Sequence, residues 1–284
     1  MNNIIVVGGK GQLGQCLQEK VNNASQNYTF TFLGSADFDI TSAEQTAAVF
    51  EKYNPEYCIN CAAYTAVDQA EEDQQNAFEI NEYAVKRLAE NCLKYNTTLI
   101  HISTDFVFNG DSSIPLTEDL ATNPVNVYGL SKLKGEQEIG NLLEQYYIIR
   151  TSWLYSEKAN NFVKTMLKLS QSRSELTVIY DQVGTPTYAM DLADVILQVV
   201  QNDPKAYGLY HYSNEGVASW YDFAKAVFEF AEVDMKVLPV ASSAFVTKAK
   251  RPHYSVLDKS KIKSALGIEI PYWRDSLNRC VQNL

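Results

Sequence analysis

The first residues already narrow the fold. Asn3-Ile4-Ile5-Val6-Val7 reads as a short strand buried on both faces. Gly8-Gly9-Lys10-Gly11-Gln12-Leu13-Gly14 follows without a spacer, and Gln15 to Val21 then reads as a helix with Leu13, Leu17 and Val21 on one stripe. Strand, glycine turn and helix in that order form the context of a dinucleotide-binding fingerprint. The glycines permit the tight turn and the approach of a pyrophosphate. The helix N-terminus adds amide donors and partial positive charge. Gly-x-Gly-x-x-Gly from Gly9 and Gly-x-x-Gly-x-x-Gly from Gly8 both fit, so spacing leaves the subtype open.

The alternation continues. Strands are expected at Tyr28 to Leu33, Tyr57 to Ala62, Thr98 to Ser103 and Tyr146 to Thr151. Helices are expected at Ala43 to Tyr53, capped by Thr41 or Ser42 and followed by Pro55, at Asn76 to Tyr95 and at Val127 to Leu143. Repeated βαβ units predict an α/β, Rossmann-type, doubly wound parallel sheet. Beyond Thr151 the pattern loosens, with helices at Asn161 to Leu169, Met190 to Gln201 and Trp220 to Ala231. This predicts a smaller C-terminal α/β lobe that binds substrate. The expected division is residues 1–151 plus about 186–213 for the dinucleotide domain, and 152–185 plus 214–284 for the lobe.

Tyr128-Gly129-Leu130-Ser131-Lys132 sets a phenol and an ammonium on one helical face. A free tyrosine titrates near ~10, and a neighbouring cation lowers that value. The pair reads as a general acid for a carbonyl becoming an alcohol. Tyr-x-x-x-Lys alone says little in a chain with 18 tyrosines. Its placement after the fourth strand matters more, because ligands of such sheets bind beyond the carboxyl ends of the strands.

Net charge is −10 and the pI about 4.9, which argues against a nucleic-acid partner. No apolar stretch approaches the ~20 residues a membrane span needs, and with the first strand starting at once no signal peptide is expected. A cytoplasmic protein is expected. Cys16, Cys58, Cys61, Cys92 and Cys280 form an odd, scattered set that fits reduced thiols. Cys58 and Cys61 stand three apart on an expected strand, which sends them to opposite faces. His101, His211 and His253 share no ligand spacing, and no metal site is expected.

Gly8 to Gly14, Ser103-Thr104-Asp105, Tyr128 to Lys132 and Arg150-Thr151-Ser152-Trp153 together resemble the extended short-chain dehydrogenase/reductases. Asn60 to Asp68, Thr104 to Gly110, Asp181 to Tyr188 and Arg251-Pro252 narrow the likeness to the branch that reduces the C4 ketone of dTDP-4-dehydrorhamnose. The resemblance covers nearly the whole chain. It implies a triad of Thr104, bonded to the C4 oxygen, Tyr128, its proton donor, and Lys132, which holds the nicotinamide ribose and depresses the tyrosine pKa. It implies cofactor contacts from Gly8, Lys10, Gly11, Gln12, Leu13 and Gly14, from Asp39-Ile40 near the adenine, and from Ala62, Ala63, Tyr64, Tyr128 and Lys132. Substrate contacts fall on Thr104, Asp105, Phe106, Val107, Trp153 and Arg251.

Sister activities remain as alternatives. Nucleotide-sugar 4,6-dehydratases follow the threonine with Asp-Glu, whereas here Asp105 precedes Phe106. Epimerases share the tyrosine and lysine. A regulatory subunit of methionine adenosyltransferase keeps the fold without reduction, which the intact Thr104, Tyr128 and Lys132 set argues against. The second strand ends Phe32-Leu33-Gly34-Ser35 with no carboxylate at its tip, and Lys10 could meet a 2′-phosphate, so NADPH is favoured with NADH accepted. Asp37 or Asp39 could instead reach the ribose. Some relatives dimerise around magnesium held by glutamates. Gln15 and Met190 stand at two of those positions, so a monomer or a metal-independent homodimer is expected.

Overall fold

The structure, a computed structural model, describes residues 2–22 and 28–284. Six strands form one parallel sheet: β1 (Asn2–Val7), β2 (Tyr28–Leu33), β3 (Tyr57–Asn60), β4 (Thr98–Thr104), β5 (Tyr146–Thr151) and β6 (Gly208–His211). Their order across the sheet is β2-β1-β3-β4-β5-β6. The order reverses between β1 and β3, which is where a doubly wound sheet opens a crevice.

Period-two alternation divides the core. Ile4 and Val6 point to one face, with Leu13, Leu17, Leu192 and Ile196. Ile5 and Val7 point to the other, with Phe50, Val85, Leu88 and Ile139. Cys58 packs on the second face and Cys61 against the first. All five cysteines are free thiols. Helix Ala43–Tyr53 is capped by Ser42, whose hydroxyl accepts from the Gln45 amide at 3.2 Å, rather than by Thr41.

The helix expected over Asn76 to Tyr95 is broken into Gln74–Phe78, a π-helical turn Glu79–Tyr83, and Ala84–Tyr95. The turn seats the buried Asn81. Its carboxamide accepts from the Tyr64 amide at 2.9 Å and donates to Tyr64 O and Ser131 Oγ, each at 3.0 Å. Asn81 thereby ties the loop after β3 to the helix Val127–Leu142 that carries Tyr128.

The smaller lobe is built from two-stranded pieces, among them the parallel pair Glu175–Ile179 with Lys236–Val240. Its core gathers Tyr155, Val163, Phe223, Val227, Trp273 and Leu277. One segment departs from the expected boundaries. Helix Ser260–Leu266 buries Ile262 against the sheet-side core with Tyr210, although the sequence pattern places residues 214–284 in the lobe. Asn214, Asp191, Ser276 and Arg279 form a hydrogen-bonded cluster joining the helix Ala189–Asn202 to the C-terminal helix Trp273–Gln282. Among the described residues no helix is long and apolar enough to cross a membrane.

Candidate active site

The loop after β1 presses against the end of β3. Gly8 has φ +78°, and a Cβ there would lie 2.6 Å from the Ala62 amide nitrogen. A Cβ on Gly14 would meet the Gly8 carbonyl oxygen at 2.4 Å. Both positions therefore require glycine, and the turn they permit borders a cleft of about 440 Å³. Gly8, Lys10, Gly11, Asp39, Ile40, Ala62 and Ala63, all expected cofactor contacts, line it. Gln12, Leu13, Gly14, Tyr64, Tyr128 and Lys132, expected with them, do not. Leu13 is core, and Gln12 donates to Leu154 O at 3.0 Å and accepts from Asn161 at 2.9 Å, a tie to the lobe. The Tyr64 hydroxyl is bonded to Asp73 at 3.2 Å. An exposed backbone turn beside an apolar slot fits an adenosine with its pyrophosphate.

Two acids stand near the tip of β2. Asp37 accepts from the Gly34 amide at 3.1 Å and pairs with Lys10 at 3.2 Å. The Gly34 amide, and then Lys10, hold its carboxyl below the usual range. Asp39 accepts from the Thr41 hydroxyl at 2.7 Å and the Thr41 amide at 2.9 Å, which hold it down likewise.

The Tyr128 helix begins at Asn126, whose side chain accepts from the Gly129 amide at 2.7 Å and donates to Lys250 O at 2.8 Å. Gly129 is needed because a Cβ would sit 2.2 Å from the Phe106 carbonyl oxygen. The helix start is thus docked on the Thr104–Phe106 segment. Thr104 closes β4, and its hydroxyl donates to Asp105 Oδ1 at 3.1 Å and acts on the neighbouring Tyr128 phenol, whose pKa it lowers. The Phe106 ring meets the Tyr128 ring edge-on at 5.7 Å.

The electrostatics differ from the expectation that Lys132 depresses the tyrosine. Burial pushes the Tyr128 phenol up to about 12, the Thr104 hydroxyl opposes this, and the Asp105 charge adds to it. Lys132 turns instead toward β4, with Nζ 2.7 Å from Ile102 O and 3.1 Å from His101 Nε2. Burial pushes Lys132 down to about 8, opposed by Glu136. Glu136 is itself held by Arg150 through contacts of 2.9 and 2.6 Å and by Ser103 at 2.5 Å. Asp105 is pushed up to about 6 by burial.

A second cavity, of about 430 Å³, opens between Phe106 and the lobe. Trp153 and Trp220 stack along it with centroids 3.6 Å apart and planes 9° apart. Trp153 adopts φ +47°, a left-handed conformation costly for a bulky residue. Phe106, Trp153 and Arg251 line this cavity as expected substrate contacts. Thr104 and Asp105 lie buried behind the lining. Val107 turns away into a small cluster with Phe108, Leu116, Leu133 and Leu257, because its place in the short 3-10 turn aims it at the core. Arg251 is not a free cation. Asp68 grips it through contacts of 3.0 and 2.6 Å. Sequence reasoning missed Trp220, Arg173, Gln182 and Asp68 as cavity residues. Asp68 and Gln182 carried a signal, as members of the Asn60 to Asp68 and Asp181 to Tyr188 motifs, and Trp220 and Arg173 carried none.

Comparison with known proteins gives a consistent result. The family described as RmlD substrate binding domain matches residues 1–284. A dTDP-4-dehydrorhamnose reductase of Aggregatibacter actinomycetemcomitans is 38% identical, the match covering 98% of this chain and 97% of the relative. The structure of a dTDP-4-dehydrorhamnose reductase from Bacillus anthracis str. Ames in complex with NADP superposes with a TM-score of 0.96 at 38% identity, covering all of both chains. That of a dTDP-4-dehydrorhamnose reductase from Clostridium acetobutylicum ATCC 824 has a TM-score of 0.95 at 40% identity, covering 99% of each.

Proposed function

The chain belongs to the RmlD substrate binding domain family, and on that premise we propose that it reduces the C4 ketone of dTDP-4-dehydrorhamnose to give dTDP-L-rhamnose, using NADPH in preference to NADH. The observation that carries this reading is the Thr104–Tyr128 hydroxyl pair, docked through Phe106 on an aromatic-walled cavity that also holds two arginines. Arg173 and Arg251 suit the diphosphate of a nucleotide sugar. The Trp153–Trp220 stack suits the apolar face of a 6-deoxy ring. A reduced nicotinamide supplies the hydride. Thr104 donates a hydrogen bond to the C4 oxygen, and Tyr128 gives that oxygen its proton. A phenol held near 12 stays protonated throughout the neutral range, so the donor is always loaded. Lys132 holds the nicotinamide ribose. With Asp105 followed by an aromatic residue, no second carboxylate stands ready to drive elimination, which favours simple reduction over dehydration.

The NADPH preference rests on Lys10, which sits at the mouth of the adenosine cleft and can exchange Asp37 for a 2′-phosphate. The free thiols accord with work in the cytoplasm. The test is loss of NADPH absorbance on mixing with dTDP-4-dehydrorhamnose, with UDP-linked ketosugars alongside. Absence of turnover with NADPH and with NADH defeats the reading. Equal turnover of the UDP sugars would move the substrate.

A further inference from the structure

We propose that the Gln12 side chain is a positioning residue that holds two walls of the aromatic-walled cavity from the dinucleotide turn. The inference rests on the reductase reading for what fills the cleft and the cavity, and goes beyond it in joining them. Gln12 opens the helix Gln12–Asn22, directly after the turn that borders the adenosine cleft. Its side chain does not line that cleft. It crosses to the lobe, where Nε2 donates to Leu154 O at 3.0 Å and Oε1 accepts from Asn161 Nδ2 at 2.9 Å. These partners lie 142 and 149 residues away in the chain.

Each bond ends on a different wall. Leu154 follows Trp153, whose backbone at φ +47° carries the indole stacked on Trp220. A bulky residue keeps such a conformation only where its surroundings fix it, and the Leu154 carbonyl is one of the fixed points. Asn161 caps the helix Phe162–Ser170, its Oδ1 accepting from the Lys164 amide at 3.2 Å. Phe162, Met166 and Leu169 of that helix line the cavity, and Phe162 packs on Trp220 with centroids 4.7 Å apart. Asn161 Nδ2 also donates to Ser156 O at 2.7 Å, which closes the segment between the two walls. The position needs a donor for a carbonyl and an acceptor for an amide at one reach. A carboxamide offers both, whereas a carboxylate lacks the donor and an ammonium the acceptor.

A second contact joins the same helix to the same segment. Lys158 pairs with Glu19 at 2.7 Å, but both side chains are substantially exposed, where an ion pair contributes little. The Gln12 bonds therefore carry the link. Anions bind helix N-termini through the free amides there. The backbone from which Gln12 extends is steadied when the turn holds a pyrophosphate, and the two bonds pass that restraint to both walls. By reciprocity, whatever the cofactor adds to the binding of a nucleotide sugar, the nucleotide sugar adds to that of the cofactor.

Hydrogen exchange of the full chain, read by mass spectrometry with and without NADP⁺, tests the link without turnover. In the wild type, NADP⁺ is expected to slow exchange in the turn and also in the helix Phe162–Ser170. Gln12→Met removes both bonds at nearly constant length, and should keep the protection of the turn and lose that of the helix. Titration with dTDP gives a second readout. In the presence of NADP⁺ the Kd for dTDP should rise roughly three- to tenfold in the variant, the scale of one net hydrogen bond, while the Kd for NADP⁺ alone stays within about twofold. Glu19→Gln, which cuts the exposed ion pair, should change neither readout. Helix protection that survives in Gln12→Met overturns the proposal, as does a wild type in which NADP⁺ leaves that helix unchanged. A larger loss for NADP⁺ than for dTDP also overturns it, because Gln12 would then be a cofactor contact. If Gln12→Met does not fold, Asn161→Asp, which keeps the cap and removes the donor, takes its place under the same outcomes. A wild type whose helix is protected by NADP⁺ but which does not turn over dTDP-4-dehydrorhamnose would defeat the reductase assignment and leave the link standing.

Discussion

Asp105 stores a measurable cost that one substitution releases. Its carboxyl is 2% exposed, Oδ1 accepts from the Thr104 hydroxyl at 3.1 Å, and Oδ2 has no hydrogen-bond partner among the described residues. Burial lifts its pKa from 3.8 to about 6, against the Ser255 and Thr104 hydroxyls and nearby amides. A tenfold change in a proton equilibrium is worth ~1.36 kcal/mol, so the ionised form costs the fold about 3 kcal/mol. A raised folded-state pKa means the acid form helps folding. That help is complete below pH 3.8 and is lost as pH rises through about 6. Asp105→Asn has no charge to bury. Relative to wild type it should gain nothing at low pH and about 3 kcal/mol at high pH, less about 1–3 kcal/mol if its amide N–H is left unpaired. The cost of an unpaired donor is the same at every pH and cancels between two of them. At pH 5 the unfolded chain already has this carboxyl ionised, and the folded chain ionises it only near pH 6. Between pH 5 and pH 8 the variant's advantage should therefore grow by about 1.4 kcal/mol, one tenfold step in the proton equilibrium. Urea unfolding followed by tryptophan fluorescence at both pH values gives the difference. An advantage that is the same at pH 5 and pH 8 would refute the argument, because the carboxyl would then titrate alike in the folded and unfolded chains.

Three further outcomes are expected. Tyr128→Phe should retain cofactor binding and lose roughly 10²–10⁴ in kcat, since only the donated proton is removed; wild-type kcat with chemistry rate-limiting would place the acid elsewhere. Lys10→Ala should raise KM for NADPH several-fold, on the basis of about 1–3 kcal/mol for a charge-assisted contact, and leave NADH nearly unchanged; equal loss for both would assign Lys10 to the shared pyrophosphate. Sedimentation in magnesium and then in EDTA should give one oligomeric state, because Gln15 donates its amide to Lys10 O and Met190 packs between the two cores; a dimer that dissociates only on chelation would mean that other carboxylates hold the ion.

What the sequence determined by itself is local. The β-branched runs of β1 and β5, the glycine turn at Gly8 and the helical spacing of Tyr128 and Lys132 are set by near neighbours, so period, turn chemistry and helix geometry reveal them. The sheet class and the glycine turn that borders the cleft follow from that pattern. Tertiary structure decided what depends on partners remote in the chain. Lys132 is bonded to His101, 31 residues away, and Arg251 to Asp68, 183 residues away. The Trp153–Trp220 stack, the inward aim of Val107 and the placement of helix Ser260–Leu266 on the sheet core are of the same kind. The helix over Asn76 to Tyr95 was legible, but not the π turn within it, which answers to the contacts of Asn81 with Tyr64 and Ser131 and not to its own sequence. The tyrosine shows the division most clearly. Spacing brings a cation to its helical face, which alone would lower the phenol. The fold buries Lys132 and turns it into the sheet, and the phenol, only half-buried by area, is raised by desolvation and by Asp105 with no lowering from the lysine.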